Sequence, residues 1–130
     1  MPACAGMTNT EKENTMRYML LLYGDEKMGE NVTPEQWQAI IEAHNAFTQE
    51  AIDRGMNPSG EALHSVNAAK TVRFEDGKPT LTTDGPFAET KEQLGGFYLL
   101  DCASEAEALE MAAKLPMATG SVEVRPAVEF

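Results

Sequence analysis

Two short polar signatures, Thr33-Pro34-Glu35-Gln36 and Ser104-Glu105-Ala106-Glu107, each mark the start of a helix. A hydroxyl at the cap and a Gln or Glu three residues later can satisfy a helix's first free N–H groups reciprocally. Pro34 also suits the first helical position. These starts partition the chain, because what precedes, separates and follows them reads as strand. Arg17 to Tyr23 is continuous in apolar residues and is expected to lie centrally in a sheet. Ala69 to Glu75 and Lys78 to Thr83 flank Asp76-Gly77, a pair that favours a type I′ turn and predicts a hairpin. Pro79 has no N–H for a ladder, so the second arm is partly an edge. Gly60 to Val66 is irregular or a short strand, and Gly96 to Asp101 is another strand. Ser121 to Val128 closes the chain, with Val122 and Val124 alternating against Glu123 and Arg125.

The first helix is expected to stop at Gly55. At about 100° per residue, Trp37, Ile40, Ile41, Phe47 and Ala51 share one side, with Glu35, Glu42, Gln49 and Asp53 opposite. His44 falls at the centre of the apolar side. The second helix turns Ala108, Leu109, Ala112 and Leu115 inward and ends at Pro116. The order strand, helix, hairpin, strand, helix, strand predicts an α+β fold, a ferredoxin-like sandwich. Two helices cover one face of such a sheet. Met19, Leu21, Phe97, Leu99, Val122 and Val124 supply apolar residues for the other, which a second copy stacked sheet on sheet would bury. Burial contributes about 25 cal/mol per Å² of apolar surface, which favours such a homodimer.

The 130 residues suit one domain, with residues 1–15 as a flexible extension and 16–130 as the folded unit. The formal net charge of −11 argues against direct nucleic-acid contact, which needs clustered Lys and Arg. No apolar run approaches the roughly 18 residues of a membrane helix, and no secretory signal is legible at the start. Cys4 and Cys102 lack the spacing of a zinc site or redox pair. Two reduced thiols and a cytoplasmic location are the expectation.

Chemistry has few places to sit. His44, aimed inward, is either a core histidine bonded to a backbone carbonyl or an acid, base or ligand near neutral pH. Asp84 precedes Gly85-Pro86, where it can pin the turn through backbone N–H groups. Its alternative roles are to orient His44, as paired carboxylates do, or to hold substrate. Glu89, Thr90, Lys91 and Glu92 form a solvated loop or a rim that selects a polar ligand. Arg73 pairs with Glu75 or Glu89, or meets a substrate carboxylate. Tyr98 packs or hydrogen-bonds in a cleft. His64 lies in a Gly-bounded segment and carries less weight. No phosphate loop, dinucleotide fingerprint, zinc-protease or nucleophile-elbow motif is present, so no cofactor is implied. His44, His64 and a carboxylate have no recognisable metal spacing, and no metal is expected.

The run Asp84-Gly85-Pro86-Phe87-Ala88-Glu89-Thr90-Lys91-Glu92 is specified beyond the needs of a plain loop. With Arg17 to Asp25, Gly60-Glu61-Ala62-Leu63, Leu94 to Tyr98 and Glu123-Val124-Arg125-Pro126, it resembles the DGPF-domain proteins of the YCII-related group. The resemblance covers nearly everything from Met16 onward. It implies a dimeric α+β barrel of ferredoxin-like protomers. It also implies small enzymes with a His–Asp pair, the helix histidine matching His44. Many relatives carry Asp-Pro after the second helix. Leu115-Pro116 stands there in this chain, and Asp84 is the substitute this reading offers. The group further implies an association with extracytoplasmic-function sigma factors.

Three readings follow. The first is a cofactor-free enzyme doing acid–base chemistry on a small polar molecule, with His44 and Asp84 catalytic and Arg73, Glu89, Thr90, Lys91 and Tyr98 contacting substrate. The second is a non-catalytic ligand-binding or regulatory dimer working with a sigma-factor partner. The third is a structural dimer whose loop locks the interface.

Overall fold

A computed structural model describes residues 15–86 and 90–130. The expected flexible extension therefore falls almost wholly outside the described residues, as do Phe87, Ala88 and Glu89. The elements are β1 (Met16–Gly24), α1 (Pro34–Asp53), β2 (Ser59–Ala62), β3 (Lys70–Glu75), β4 (Lys78–Asp84), β5 (Gln93–Cys102), α2 (Glu105–Ala112) and β6 (Ser121–Pro126).

Local chemistry sets both ends of α1. Thr33 Oγ1 accepts the Gln36 N–H at 3.1 Å, and the Gln36 side chain accepts the Thr33 N–H at 2.9 Å. At the other end Gly55 takes φ 75°, its N–H reaches Ile52 O at 3.0 Å, and the Met56 N–H reaches Ala51 O at 2.9 Å. This paired closure satisfies the last carbonyls and carries an apolar residue back onto the helix. Met56 is that residue and is fully buried.

The start of α2 differs from the expected reciprocal box. Ser104 Oγ accepts the Glu107 N–H at 3.2 Å, but Glu107 Oε1 accepts the N–H of Ala103, not that of Ser104, at 2.9 Å. The helix also ends at Ala112, ahead of Pro116. Ala108 and Met111 face the core, and Leu109 is exposed. Two turns present only one narrow stripe, and Leu109 lies about 100° round from Ala108.

Four strands form one antiparallel sheet in the order β2-β5-β1-β6. Tyr18, Leu20, Leu100 and Cys102 point from it into a core shared with Phe47 and Ala51 of α1 and with Ala108 and Met111 of α2. Both helices therefore cover the same face, the ferredoxin-like arrangement. Between β2 and β5 the chain inserts the β3–β4 hairpin, a separate two-stranded sheet. Asp76 and Gly77 at its tip both have positive φ, as the type I′ turn requires.

Residues directly opposite in a pair share a face. Val124 lies opposite Leu20 and Val122 opposite Leu22, so both valines pack on the helix-covered core, contrary to the sequence expectation. The uncovered face carries Met19, Leu21, Phe97 and Leu99, cross-paired as Leu21↔Phe97 and Met19↔Leu99 and only partly buried. It is flanked by the Arg17–Asp101 ion pair and by Glu123, which accepts from Tyr23 and pairs with Arg125.

Candidate functional site

The apolar stripe of α1 is covered along only part of its length. Phe47 and Ala51 are buried, whereas Trp37 is 58% and Ile41 38% exposed. His44 sits where the stripe leaves the core and is half-buried. Its Nδ1 lies 2.7 Å from the hydroxyl of Tyr98, on the helix-covered side of β5. The two rings stack at 5.9 Å between centroids and 17° between planes. Phe47, three residues along α1, packs on the other part of Tyr98 at 4.7 Å. The imidazole is thus held by a bond at one nitrogen and by ring contact.

Burial pushes His44 below the ordinary histidine range, so the ring is neutral at neutral pH. Burial pushes the Tyr98 phenol up, while the Thr48 hydroxyl, one helical turn after His44, pulls it the other way. One proton then lies between Nδ1 and the phenol oxygen. If Tyr98 donates, Nε2 carries a hydrogen and can act as an acid; if Nδ1 donates, Nε2 presents a lone pair and can act as a base.

Asp84 has a different partner. It ends β4, its side chain is 88% exposed, and its carboxylate meets Lys70 Nζ at 2.6 Å. Tyr98, not Asp84, is the group that orients His44, and burial alone accounts for the shift of the imidazole. The proposed His44–Asp84 pairing is therefore replaced by a His44–Tyr98 pairing. Backbone bonds tie the turn after Asp84, with the Gly85 N–H reaching Ala69 O at 2.7 Å and Thr71 Oγ1 donating to Gly85 O at 2.8 Å.

A groove of about 790 Å³ opens between the Gly85-Pro86 turn, the 63–72 segment and the ends of β1 and β5. Leu63, Val66, Val72, Pro86 and Leu94 give it apolar walls, and Tyr23, His64, Lys70, Thr90 and Glu92 supply polar groups. Tyr23 belongs to the uncovered face through its bond to Glu123, so the groove lies away from the His44–Tyr98 pair, which is under α1. A smaller hollow of about 470 Å³ brings Asp84 together with Thr90 and Gln93.

The remaining candidates scatter. Thr90 Oγ1 donates to Glu92 O at 2.6 Å. Lys91 is exposed, and Arg73 stands opposite Leu81 on the hairpin. Glu89 lies outside the described residues. Sequence reasoning missed Thr48 and the groove wall of Val66, Lys70 and Leu94. The one signal for Thr48 was its i+4 spacing from His44.

A family model, the YCII-related domain, matches residues 16–130. A protein of Rhizobium meliloti (strain 1021), named Uncharacterized protein R00369, is 42% identical over 114 residues, covering 85% of this chain and 91% of that protein. No helix among the described residues is long and apolar enough to cross a membrane.

Proposed function

Because the chain belongs to the YCII-related family, we propose that it is a small homodimeric enzyme that moves a proton to or from a small polar molecule. One observation carries this reading: His44 is neutral, half-buried, anchored at Nδ1 by Tyr98, and set at the edge of the core where a solute can reach it. Anchoring one nitrogen fixes the ring and leaves the other to exchange a proton, the basis of histidine acid–base catalysis. Eliminations and isomerisations of this kind need no cofactor. Tyr98 positions the imidazole. Asp84 and Thr90 border the separate hollow beside the Gly85-Pro86 turn, so they are proposed as polar contacts for a ligand held there and not for a molecule at His44. The second protomer covers Met19, Leu21, Phe97 and Leu99.

Proton transfer can be read directly. A panel of small hydroxy acids, keto acids and lactones is incubated with the protein in D2O and followed by proton NMR. Exchange or conversion of at least one compound is expected, lost in His44→Ala with the fold retained. Unchanged turnover in that variant would remove His44 from the role.

The groove beside the Gly85-Pro86 turn favours a second reading, a ligand-binding dimer without turnover that acts with a sigma-factor partner. Its size falls within the roughly 300–1,000 Å³ of small-molecule sites. Under this reading the compounds bind, no product forms at any concentration, and the protein captures a purified sigma factor only when ligand is present.

A further inference from the structure

The groove beside the Gly85-Pro86 turn is braced by bonds between its walls. The Glu26 carboxylate accepts the Ser65 hydroxyl at 2.9 Å and the Val66 N–H at 3.1 Å. The Gln93 side chain accepts the Glu26 N–H at 3.0 Å and donates to Thr90 O at 2.7 Å. The Leu63 N–H reaches Gly95 O at 2.8 Å. The 63–72 wall and the start of β5 are thus tied together, so a ligand has little left to order when it binds. Leu63, Val66, Val72, Pro86 and Leu94 make the body of this space apolar, and its volume of about 790 Å³ suits a small organic molecule.

Charge says which molecule. The groove's ammonium, Lys70, is already engaged by Asp84 at 2.6 Å. Its carboxylate, Glu92, has no Lys or Arg partner among the described residues and accepts only from the Ser121 hydroxyl, at 3.4 and 3.5 Å. Ser121 stands directly opposite Tyr23 in the β1–β6 ladder, so Glu92 belongs to the Tyr23 end of the groove. The Tyr23 hydroxyl donates to Glu123 at 3.2 Å, which leaves its oxygen an acceptor. That end therefore combines an unpaired carboxylate, an acceptor oxygen and an aromatic ring, three groups that suit an ammonium ion. The net charge of −11 works in the same direction, drawing cations to the protein and repelling anions.

We propose that the groove binds a hydrophobic amine. Its aryl or alkyl body lies against the apolar walls, and its ammonium group meets Glu92 beside Tyr23. This rests on the ligand-binding reading of the groove and names the class of ligand. It asks nothing of His44, which lies away from the groove under α1.

Phenylbutylamine, phenylbutanol and phenylbutyrate share one body and differ in the charge of the head group. Each is titrated into the full-length chain by calorimetry, and amide NMR shifts locate it. The amine is expected to bind more tightly than the alcohol or the acid by about threefold or more, the range of a partly exposed charge pair. It should shift the amides of residues 63–72 and 93–94, and lose its margin over the alcohol in Glu92→Gln. Val72→Ser, on the exposed part of the apolar wall, should weaken amine and alcohol alike. An alcohol or acid that binds the groove as tightly as the amine, or an amine as tight in Glu92→Gln as in the wild type, overturns the amine class and leaves the groove a ligand site. Shifts confined to other parts of the chain, or no binding by any of the three, overturn both. Should Glu92→Gln misfold, salt decides the matter on the wild type. Affinity for the amine falls as sodium chloride rises while that for the alcohol holds, and a parallel response of the two overturns the amine class.

Discussion

The bond between His44 and Tyr98 can be measured apart from any activity. Tyr98→Phe deletes one oxygen and keeps the ring that stacks on His44 and packs on Phe47. The loss is then that of the hydrogen bonds of one neutral hydroxyl, to His44 and to Thr48, about 0.5–1.5 kcal/mol each. The larger penalty for an orphaned, fully buried group does not apply in full, because His44 is only half-buried. On a chain of this length about 1 kcal/mol lowers the melting temperature by roughly 3–5 °C. His44→Ala removes the bond to Tyr98 together with the ring contacts, so neither single variant isolates it.

The double variant does. In a cycle of wild type, Tyr98→Phe, His44→Ala and both together, the ring contacts of His44 enter along two parallel sides and largely cancel, leaving a coupling near 1 kcal/mol. Urea unfolding at pH 8, where the imidazole is neutral, is the assay. A coupling under about 0.3 kcal/mol, the scatter expected of independent sites, would refute the claim that Tyr98 holds His44.

Other outcomes follow from the same geometry. Burial lowers the pKa of His44, so the unfolded chain protonates first, near about 6.5. Stability is therefore full above that pH, falls as pH drops through it, and levels off once the folded state also takes up the proton; urea midpoints from pH 8 to 5 should show this, and His44→Gln should abolish it. Gly55→Ala meets no neighbour within 4 Å, so its cost is the left-handed backbone alone, about 1–2 kcal/mol. Gly120→Ala adds a clash, since a Cβ there would stand 2.3 Å from Tyr23 O at φ +98°, and its loss in urea midpoint should clearly exceed that of Gly55→Ala. Burial and two neighbouring carboxylates push the Cys102 thiol up to about 11. In a Cys4→Ser background it should resist a disulfide reagent at pH 8 and react only as the chain unfolds; rapid labelling would show the site to be open.

What the sequence revealed was what adjacent residues decide among themselves. The Thr33 cap, the Gly55 stop and the Asp76-Gly77 turn were legible because each is a bond or dihedral set within a few positions. What the sequence hid depends on register and on partners distant in the chain. Val122 and Val124 alternate correctly, but alternation does not say which of two faces is covered; their pairing with Leu22 and Leu20 does. The helical period aligned Trp37 and Ile41 with Phe47, yet nothing local says how far along α1 the sheet reaches. Tyr98 is 54 positions from His44, so their contact is a product of the fold. Asp84 was drawn toward His44 by a chemical pattern, and Lys70, across the hairpin ladder, holds it instead.

Backbone geometry also shapes the strand that carries the partner of His44. Gly96 lies opposite Leu22, on the helix-covered side of β5 and two residues before Tyr98. A Cβ at Gly96 would stand 2.8 Å from Glu61 O, because β2 approaches closely there, so the position excludes a side chain. The helix-facing side of β5 therefore carries no side chain one step before the phenol that binds His44. The 20 residues of α1, about 30 Å long, are capped at both ends by local bonds. The close approach of β2 thus keeps Gly96 bare two residues before Tyr98, the residue that holds the half-buried imidazole.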